Sequence, residues 1–478
     1  MHGNNPLEIP ELFRRISRYV ATNDALACAR VSKTWSDHFV SAIWHTVDFD
    51  VHKGLRELDA KVLAKHGHHI RVVKNISDVD RILVLINSAR KLRWLSFEMT
   101  ATQEFYACFV DLLRQVNPCL QYLEIVQGAV EDEVPYLAVD SLFPVPNAGA
   151  TSKLSFIRMD GLILTRQSFS LMLKNCPLLR HLHIQDTTLL YWSIHNTTAA
   201  QLHRHTRVFE LTAPLEQVFR PNQSSQNGPS LLAHFPNLVS WCTWDSQITG
   251  PIDIPTKEIQ EDIAKHCRSM RMVSLETRVS VGISILTQAF KGLTSIRILT
   301  NHLSAEMVMA ISDHRETLEY ILSFVNSDNI HDSEEIPEVE SISTGGWIIQ
   351  SLPRHCNRLQ KLQLSSYEMD MDDIERADWG CRNLEELYIR VRGLDTKEKI
   401  NRAIQLWREG VVATKKKQVN GGREESSSTS LQLASAAPPE DNSIEARVAR
   451  HLLKFRKLSE VWLGWRIQRV TPKYKMQG

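Results

Sequence analysis

The chain lacks most of the features that would mark a membrane protein, a secreted protein or an enzyme. It has no apolar run of the roughly 18 residues that a membrane span needs. None of its eight cysteines pair as C-x-x-C, and no disulfide-scaffold spacing joins them. That argues against a structural zinc and fits a reducing compartment. The opening Met1-His2-Gly3-Asn4-Asn5-Pro6 carries none of the regions of a secretory signal, so the expected location is cytoplasm or nucleus. Net charge is only +1, with a pI near 7.7, so neither nucleic acid nor an anionic membrane is favoured as partner. Gly345-Gly346 has neither a G-x-G-x-x-G context nor a Walker lysine, and no G-x-S-x-G elbow occurs. Neither catalysis nor a cofactor is expected.

What the chain does have is one pattern, C-x-x-L/M-x-x-L/V-x-L/I, written four times. Cys176 leads Leu179, Leu182 and Ile184; Cys267 leads Met270, Val273 and Leu275; Cys356 leads Leu359, Leu362 and Leu364; Cys381 leads Leu384, Leu387 and Ile389. The same apolar pair recurs at Leu92/Leu95, Leu120/Leu123, Leu154/Ile157, Val208/Leu211, Leu238/Trp241, Leu293/Ile296, Leu318/Ile321 and Leu458/Val461. The Val208 copy is the poorest, since it ends in Ala213. Helical stretches precede several copies, at 105–116, 168–175, 258–266, 304–314 and 346–355, and turn-forming residues such as Asn175-Cys176-Pro177 follow. Each unit therefore reads as helix, turn, short strand, with the alternating leucines inward and the phased cysteines as small buried hydrophobes. The pattern resembles a leucine-rich repeat (LRR) array over roughly residues 70–478, at spacings near 25 interrupted by longer insertions. That resemblance implies an α/β solenoid, a horseshoe with helices on its convex side.

The first fifty residues do not share the repeat. Pro10 suits the first turn of a helix carrying Leu12, Ile16, Tyr19 and Val20. Asn23 or Asp24 can cap a second helix with Leu26, Ala29 and Val31, and Ser32 starts a third with Trp35, Phe39, Ile43 and Trp44. So short a bundle has a small core, and more apolar residues than its helices can hide. Pro6, Leu7, Ile9, Pro10, Ile16, Asp24, Leu26, Val31, Ser32, Lys33, Trp35 and Trp44 follow the signature of the F-box, which this segment resembles. The resemblance implies docking on a Skp-type adaptor, and through it a cullin, of an SCF-type ubiquitin ligase. The residues expected to dock are Pro6, Leu7, Ile9, Pro10, Leu12, Ile16, Leu26, Val31 and Trp35, whereas Trp44, Val47 and Phe49 are expected to join the array as its cap.

Odd positions of the repeat strands point outward. They include Trp94, Tyr122, Phe156, Arg158, His181, His183, Trp244, Tyr320, Tyr388 and Arg390, a mixture of rings and charges that suits a protein-binding face. Charges alternate in sign along these rows, so no phosphate trap is expected there. His181 and His183 share one strand face, but the neighbouring strands offer only Glu210 beside Phe156, Arg158 and Thr212, so surface histidine rather than metal is expected. The expected organisation is a helical module at 1–50, a junction and cap at 51–90, repeats at 91–412, a disordered insertion at 413–443 and a last repeat with its cap at 444–478. The function implied is recruitment of an unidentified target protein to the ligase; a non-catalytic scaffold outside any ligase is the alternative.

Overall fold

The computed structural model describes residues 10–17, 19–51, 59–99, 103–116, 118–127, 152–185, 188–190, 203–211, 231–245, 256–277, 280–299, 303–324, 346–420 and 442–464. Pro6, Leu7 and Ile9 lie outside them. The chain divides into two compact units, Met1–Leu238 and Val239–Gly478.

The first unit opens with three helices: α1 (Pro10–Ser17), α2 (Thr22–Ala29) and α3 (Lys33–Ile43). Pro10 is the first residue of α1, where its missing N–H costs nothing. Ser32 caps α3, its Oγ accepting from the Trp35 N–H at 3.2 Å. The cap of α2 corrects the expectation: Ala21 holds the position and supplies no side-chain bond, leaving Asn23 and Asp24 inside the first turn. Ala25 and Phe39 form a small core, with Val20, Cys28, Ala29, Trp35 and Ile43 packed around it.

Strands follow at β1 (Thr46–Asp48), β2 (Val72–Ile76), β3 (Trp94–Met99), β4 (Tyr122–Gln127), β5 (Phe156–Asp160), β6 (Ile163–Thr165), β7 (His181–Gln185), β8 (Thr188–Leu190) and β9 (Val208–Leu211). Helices α4 (Ala60–His66), α5 (Val79–Ser88), α6 (Gln103–Val116) and α7 (Arg166–Asn175) stand between them. The sheet runs β1-β2-β3-β4-β5-β7-β9, every neighbour parallel, while β6 and β8 form a separate parallel pair. The array thus begins at Thr46, and Val47 and Phe49 are buried as its first layer. Segment 51–90, expected as a junction, carries a full helix-strand-helix unit. Val72-Val73-Lys74-Asn75-Ile76 hides it by lacking the leucine alternation, although Ile70 and Val73 hold the anchor phase and are buried.

The second unit repeats the plan with β10 (Ser240–Asp245), β11 (Met272–Thr277), β12 (Ser295–Leu299), β13 (Tyr320–Phe324), β14 (Lys361–Met369), β15 (Glu386–Val391) and β16 (Glu460–Leu463), paired parallel in chain order. Its helices are α8 (Thr256–His266), α9 (Ser280–Ala289), α10 (Ala305–Ser312), α11 (Gly346–Ile349), α12 (Ser351–His355), α13 (Met371–Arg376), α14 (Lys397–Asn420) and α15 (Ile444–Leu452). Helix α14 overturns the expected start of the insertion at 413. Ala413 to Asn420 contain no proline or glycine, and Lys415-Lys416-Lys417 in the last turns suit the negative end of the helix dipole. Residues 421–441 lie outside the described set.

One hydrogen-bond arrangement recurs at strand lead-ins in both units. The carbonyl of the residue before a strand accepts two N–H groups from the next: Arg71 O from Arg93 and Trp94 (2.8 and 3.0 Å), Arg93 O from Gln121 and Tyr122 (2.8 and 3.0 Å), Gln121 O from Ser155 and Phe156 (2.9 and 3.1 Å). In the second unit Arg271 O takes Thr294 and Ser295 (2.8 and 3.1 Å), and Thr294 O takes Glu319 and Tyr320 (2.8 and 3.0 Å). The register is set there. It aligns buried residues Val73, Leu95, Leu123, Ile157, Leu182 and Phe209 across the first sheet, and Trp241, Val273, Ile296, Ile321, Leu362, Leu387 and Val461 across the second. Helix side chains close this face: the Phe97 ring of β3 lies 3.7 Å from Phe109 and 6.3 Å from Phe105 of α6.

The alignment moves one anchor. Phe209, not Leu211, pairs with Leu182, so the copy assigned to Val208 is led by Thr206. Thr206 is fully buried, and its hydroxyl satisfies itself by donating to Leu179 O at 2.9 Å. Its leading position, filled by cysteine in four other copies, holds His203. Ala89, Phe235, Phe290 and Phe455 take the same buried place elsewhere.

Cys176, Cys267, Cys356 and Cys381 are all buried, and burial pushes their thiols up to about 12. Alkylation of the native protein should therefore modify the half-buried Cys28, Cys108, Cys119 and Cys242 first, with the other four reacting only in denaturant; peptide mapping checks this. Burial also drives His203 down to about 4 and His451 down to about 3. The unfolded chain takes up these protons below about pH 6.5 while the folded rings refuse them. Stability from these sites is whole above pH 6.5 and is lost as pH falls towards 4 and 3. The urea midpoint should drop between pH 7 and 5, and His203→Phe with His451→Phe should flatten that drop; an unchanged slope would refute the assignment.

Candidate functional site

Two surfaces stand out, both built by the local geometry above. On the three-helix head, α1 and α2 leave Leu12 (39%), Ile16 (40%) and Leu26 (42%) exposed, with Val31 (65%) and Tyr19 (84%) beside them in the chain turns. The head's own core uses the other helix faces, so these apolar groups have no internal use. Trp35 departs from its expected place. It is half-buried, stacks at 5.7 Å on Phe39 and belongs to the packing of the head. Trp44 stacks flat on His66 at 4.8 Å, tying the end of α3 to α4.

The second surface is the outward face of the first sheet. Register places Trp94, Tyr122, Phe156 and His181 in one column. Their rings stack in sequence: Trp94 to Tyr122 at 3.6 Å, Tyr122 to Phe156 at 4.0 Å and nearly parallel at 10°, Phe156 to His181 at 5.8 Å. Lys74 Nζ sits 5.1 Å from the Trp94 ring and extends the column with a cation. The ring faces are spent on one another, so a partner meets their edges.

Beside the ladder runs a polar column, Glu124, Arg158, His183 and Glu210. Arg158 reaches Glu124 at 3.2 Å, Asp160 at 3.4 Å and the Gln185 amide oxygen at 3.1 Å. His183 Nδ1 meets Glu210 Oε2 at 2.5 Å, and Gln185 donates to the other oxygen of Glu210. Burial pushes the Tyr122 phenol up to about 12, with Glu124 adding to the rise and Arg158 opposing it. Burial lowers His181, helped by the neighbouring His183 and Arg180, which keeps a neutral ring at the end of the ladder.

The second sheet holds a shorter counterpart. Tyr388 stacks on Trp462 at 5.4 Å, Lys361 Nζ lies 5.1 Å from the Tyr388 ring, and Arg390 pairs with Glu368 at 3.4 Å. Tyr320 lies one column away and donates to the Gln360 side chain at 2.9 Å. Trp244 sits on β10, and its side chain lies outside the described set. Lys74 and Gln185 were not expected. Lys74 was hidden with its strand, and Gln185 is one outward position beyond the pair read on β7.

Tyr122→Ala takes out the middle of two stacked pairs, each worth about 0.5–1.5 kcal/mol, and should lower unfolding free energy by about 1–3 kcal/mol. Tyr122→Phe keeps the ring and should stay within about 0.5 kcal/mol of the parent in urea titration. Equal losses in both variants would mean that the stack contributes nothing.

Among the described residues, no helix is long and apolar enough to cross a membrane. A comparison with models of known protein families finds no match. A search of curated proteins likewise finds none.

Proposed function

We propose that the chain is the substrate-recognition subunit of an SCF-type ubiquitin ligase, holding a Skp-type adaptor with its head and a target protein on an LRR horseshoe. The observation that carries the reading is the row of exposed apolar side chains on the head, Leu12, Ile16, Leu26 and Val31. Ile16, Leu26 and Val31 stand at positions that match the F-box signature, and Leu12 lies one helical turn before Ile16. Burying a fully exposed side chain of this kind is worth roughly 1.5–3 kcal/mol; with these four already part-covered, their joint burial adds roughly 3–6 kcal/mol, and docking draws on further contacts of the head as well. The aromatic ladder supplies the other half, since half-buried rings beside mixed charges are the composition of binding hot spots. On this reading the chain makes and breaks no bond. It acts by tethering, which raises the effective concentration of target near the ubiquitin-loaded enzyme. The alternative, a scaffold that binds the adaptor outside any ligase, differs in one observable: adaptor would be captured without cullin.

Leu12→Asp with Ile16→Asp should weaken capture of purified adaptor by more than about 100-fold. Both sites are already exposed, so the urea midpoint should hardly move. Full adaptor binding by this double variant would sink the docking assignment, and adaptor capture that never brings cullin would favour the scaffold.

A further inference from the structure

Charge is not spread evenly over the first unit. The lead-in turns before β2, β3, β4, β5, β7 and β9 fall at 67–71, 89–93, 118–121, 152–155, 176–180 and 203–207. Together they hold eight lysines and arginines and not one aspartate or glutamate. The matching turns of the second unit carry Glu316, Glu319 and Glu385 among their cations, so the unbroken sign belongs to the first. Arg71 sits beside Arg93, and Arg180 beside Arg207, because the carbonyl of one takes the N–H of the next at 2.8 Å. Lys153, before β5, lies between the two pairs. Arg71 is half-buried and the other seven cations are exposed. The ion pairs among the described residues of this unit take Arg81, Arg114, Arg158 and His183, and none of the eight. Burial lowers the Arg71 pKa, and the like charge of Arg93 lowers it further.

Strands in a sheet lie about 4.8 Å apart, so these six lead-ins make a positive edge about 24 Å long. What meets it must carry many negative charges, and the same sheet narrows the choice. Glu124, Asp160 and Glu210 stand farther along the strands on the outward face, beyond the ring column, and repel an anion laid across it. A single nucleic-acid strand needs free ring faces for its bases, and these rings are stacked on one another. Leu178 decides what remains. It is 42% exposed in the β7 turn, and by phase it stands between Lys153 of one neighbouring turn and His205 of the other. An apolar side chain among exposed cations suits the headgroup layer of a membrane, where the chain end enters and the charges stay at the surface.

We infer that this edge of the first sheet rests on an anionic lipid bilayer, with its cations on the headgroup phosphates and Leu178 dipping between them. The net charge of +1 argued against such a partner only because it averages the basic edge with the acidic column beyond the rings. The inference goes beyond the recruitment reading and does not depend on it, since the edge would hold the protein at a surface whatever the head docks on.

The test floats full-length protein with vesicles of phosphatidylcholine carrying phosphatidylserine, and with vesicles of phosphatidylcholine alone. Capture should require the anionic lipid and fall with added salt. Arg93→Ala with Lys153→Ala and Arg180→Ala should weaken it about 100-fold, at about fivefold for each cation held near a charged surface. Lys257→Ala with Lys265→Ala and Lys397→Ala, on helices α8 and α14, removes the same charge and should change capture by less than about twofold. Leu178→Gln, which leaves the charge alone, should weaken capture at least about threefold. All these side chains are exposed, so the urea midpoint of each variant should hardly move. Equal capture by the two vesicles, an unaffected Arg93/Lys153/Arg180 variant, or an equal loss in the α8 and α14 variant would overturn the edge as the binding surface. An unchanged Leu178→Gln variant, or tighter binding of a single-stranded oligonucleotide or a polyglutamate peptide through the same three cations, would overturn the bilayer as its partner.

Discussion

One carbonyl oxygen taking two amide hydrogens, repeated along the strand lead-ins, is the constraint from which the rest follows in both units. An isolated parallel strand pair can slip by a residue, and a slip turns every side chain to the wrong face. Here the doubled bond fixes where each strand begins relative to the one before it. Two consecutive N–H groups must reach the same acceptor, which leaves a single register available. With the register set, the leucines, isoleucines and valines fall in line beneath the helices without further instruction.

The same alignment orders the opposite face. Aromatic rings that are tens of residues apart in the chain become stacked neighbours at 3.6 and 4.0 Å because their strands start together. Charges are brought into contact in the same way, Arg158 with Glu124 across adjacent strands and His183 with Glu210 across the next pair. The head works on a different principle. Its helices are too short to hide their own apolar residues, and what remains exposed is available to another protein.

The repeat phase was legible because leucine alternation and the cysteine position are both side-chain signals read at fixed offsets. The outward ladder was legible for the same reason: Trp94, Tyr122, Phe156 and His181 occupy the odd positions of correctly placed strands. What escaped reading depended on partners distant in sequence. Thr206 looks wrong for a buried anchor until the Leu179 carbonyl that accepts its hydroxyl is known. β2 is valine-rich and carries the polar Lys74 and Asn75, so its membership shows only through pairing with Trp94 and Leu95. The lysine run at 415–417 reads as solvated linker by composition, yet a helix already under way carries such residues at little cost. Trp35 fitted a docking role by motif but is drawn inward by Phe39.

The lead-in geometry also explains how so uneven a sequence keeps so even a sheet. Anchors Leu120 and Leu154 are separated by a longer stretch than Leu154 and Leu179, yet Tyr122, Phe156 and His181 still align. Each strand is zeroed afresh against its predecessor, so an error in connection length is never passed on. Such a chain can gain, lose or exchange whole connecting segments while its outward face stays in focus.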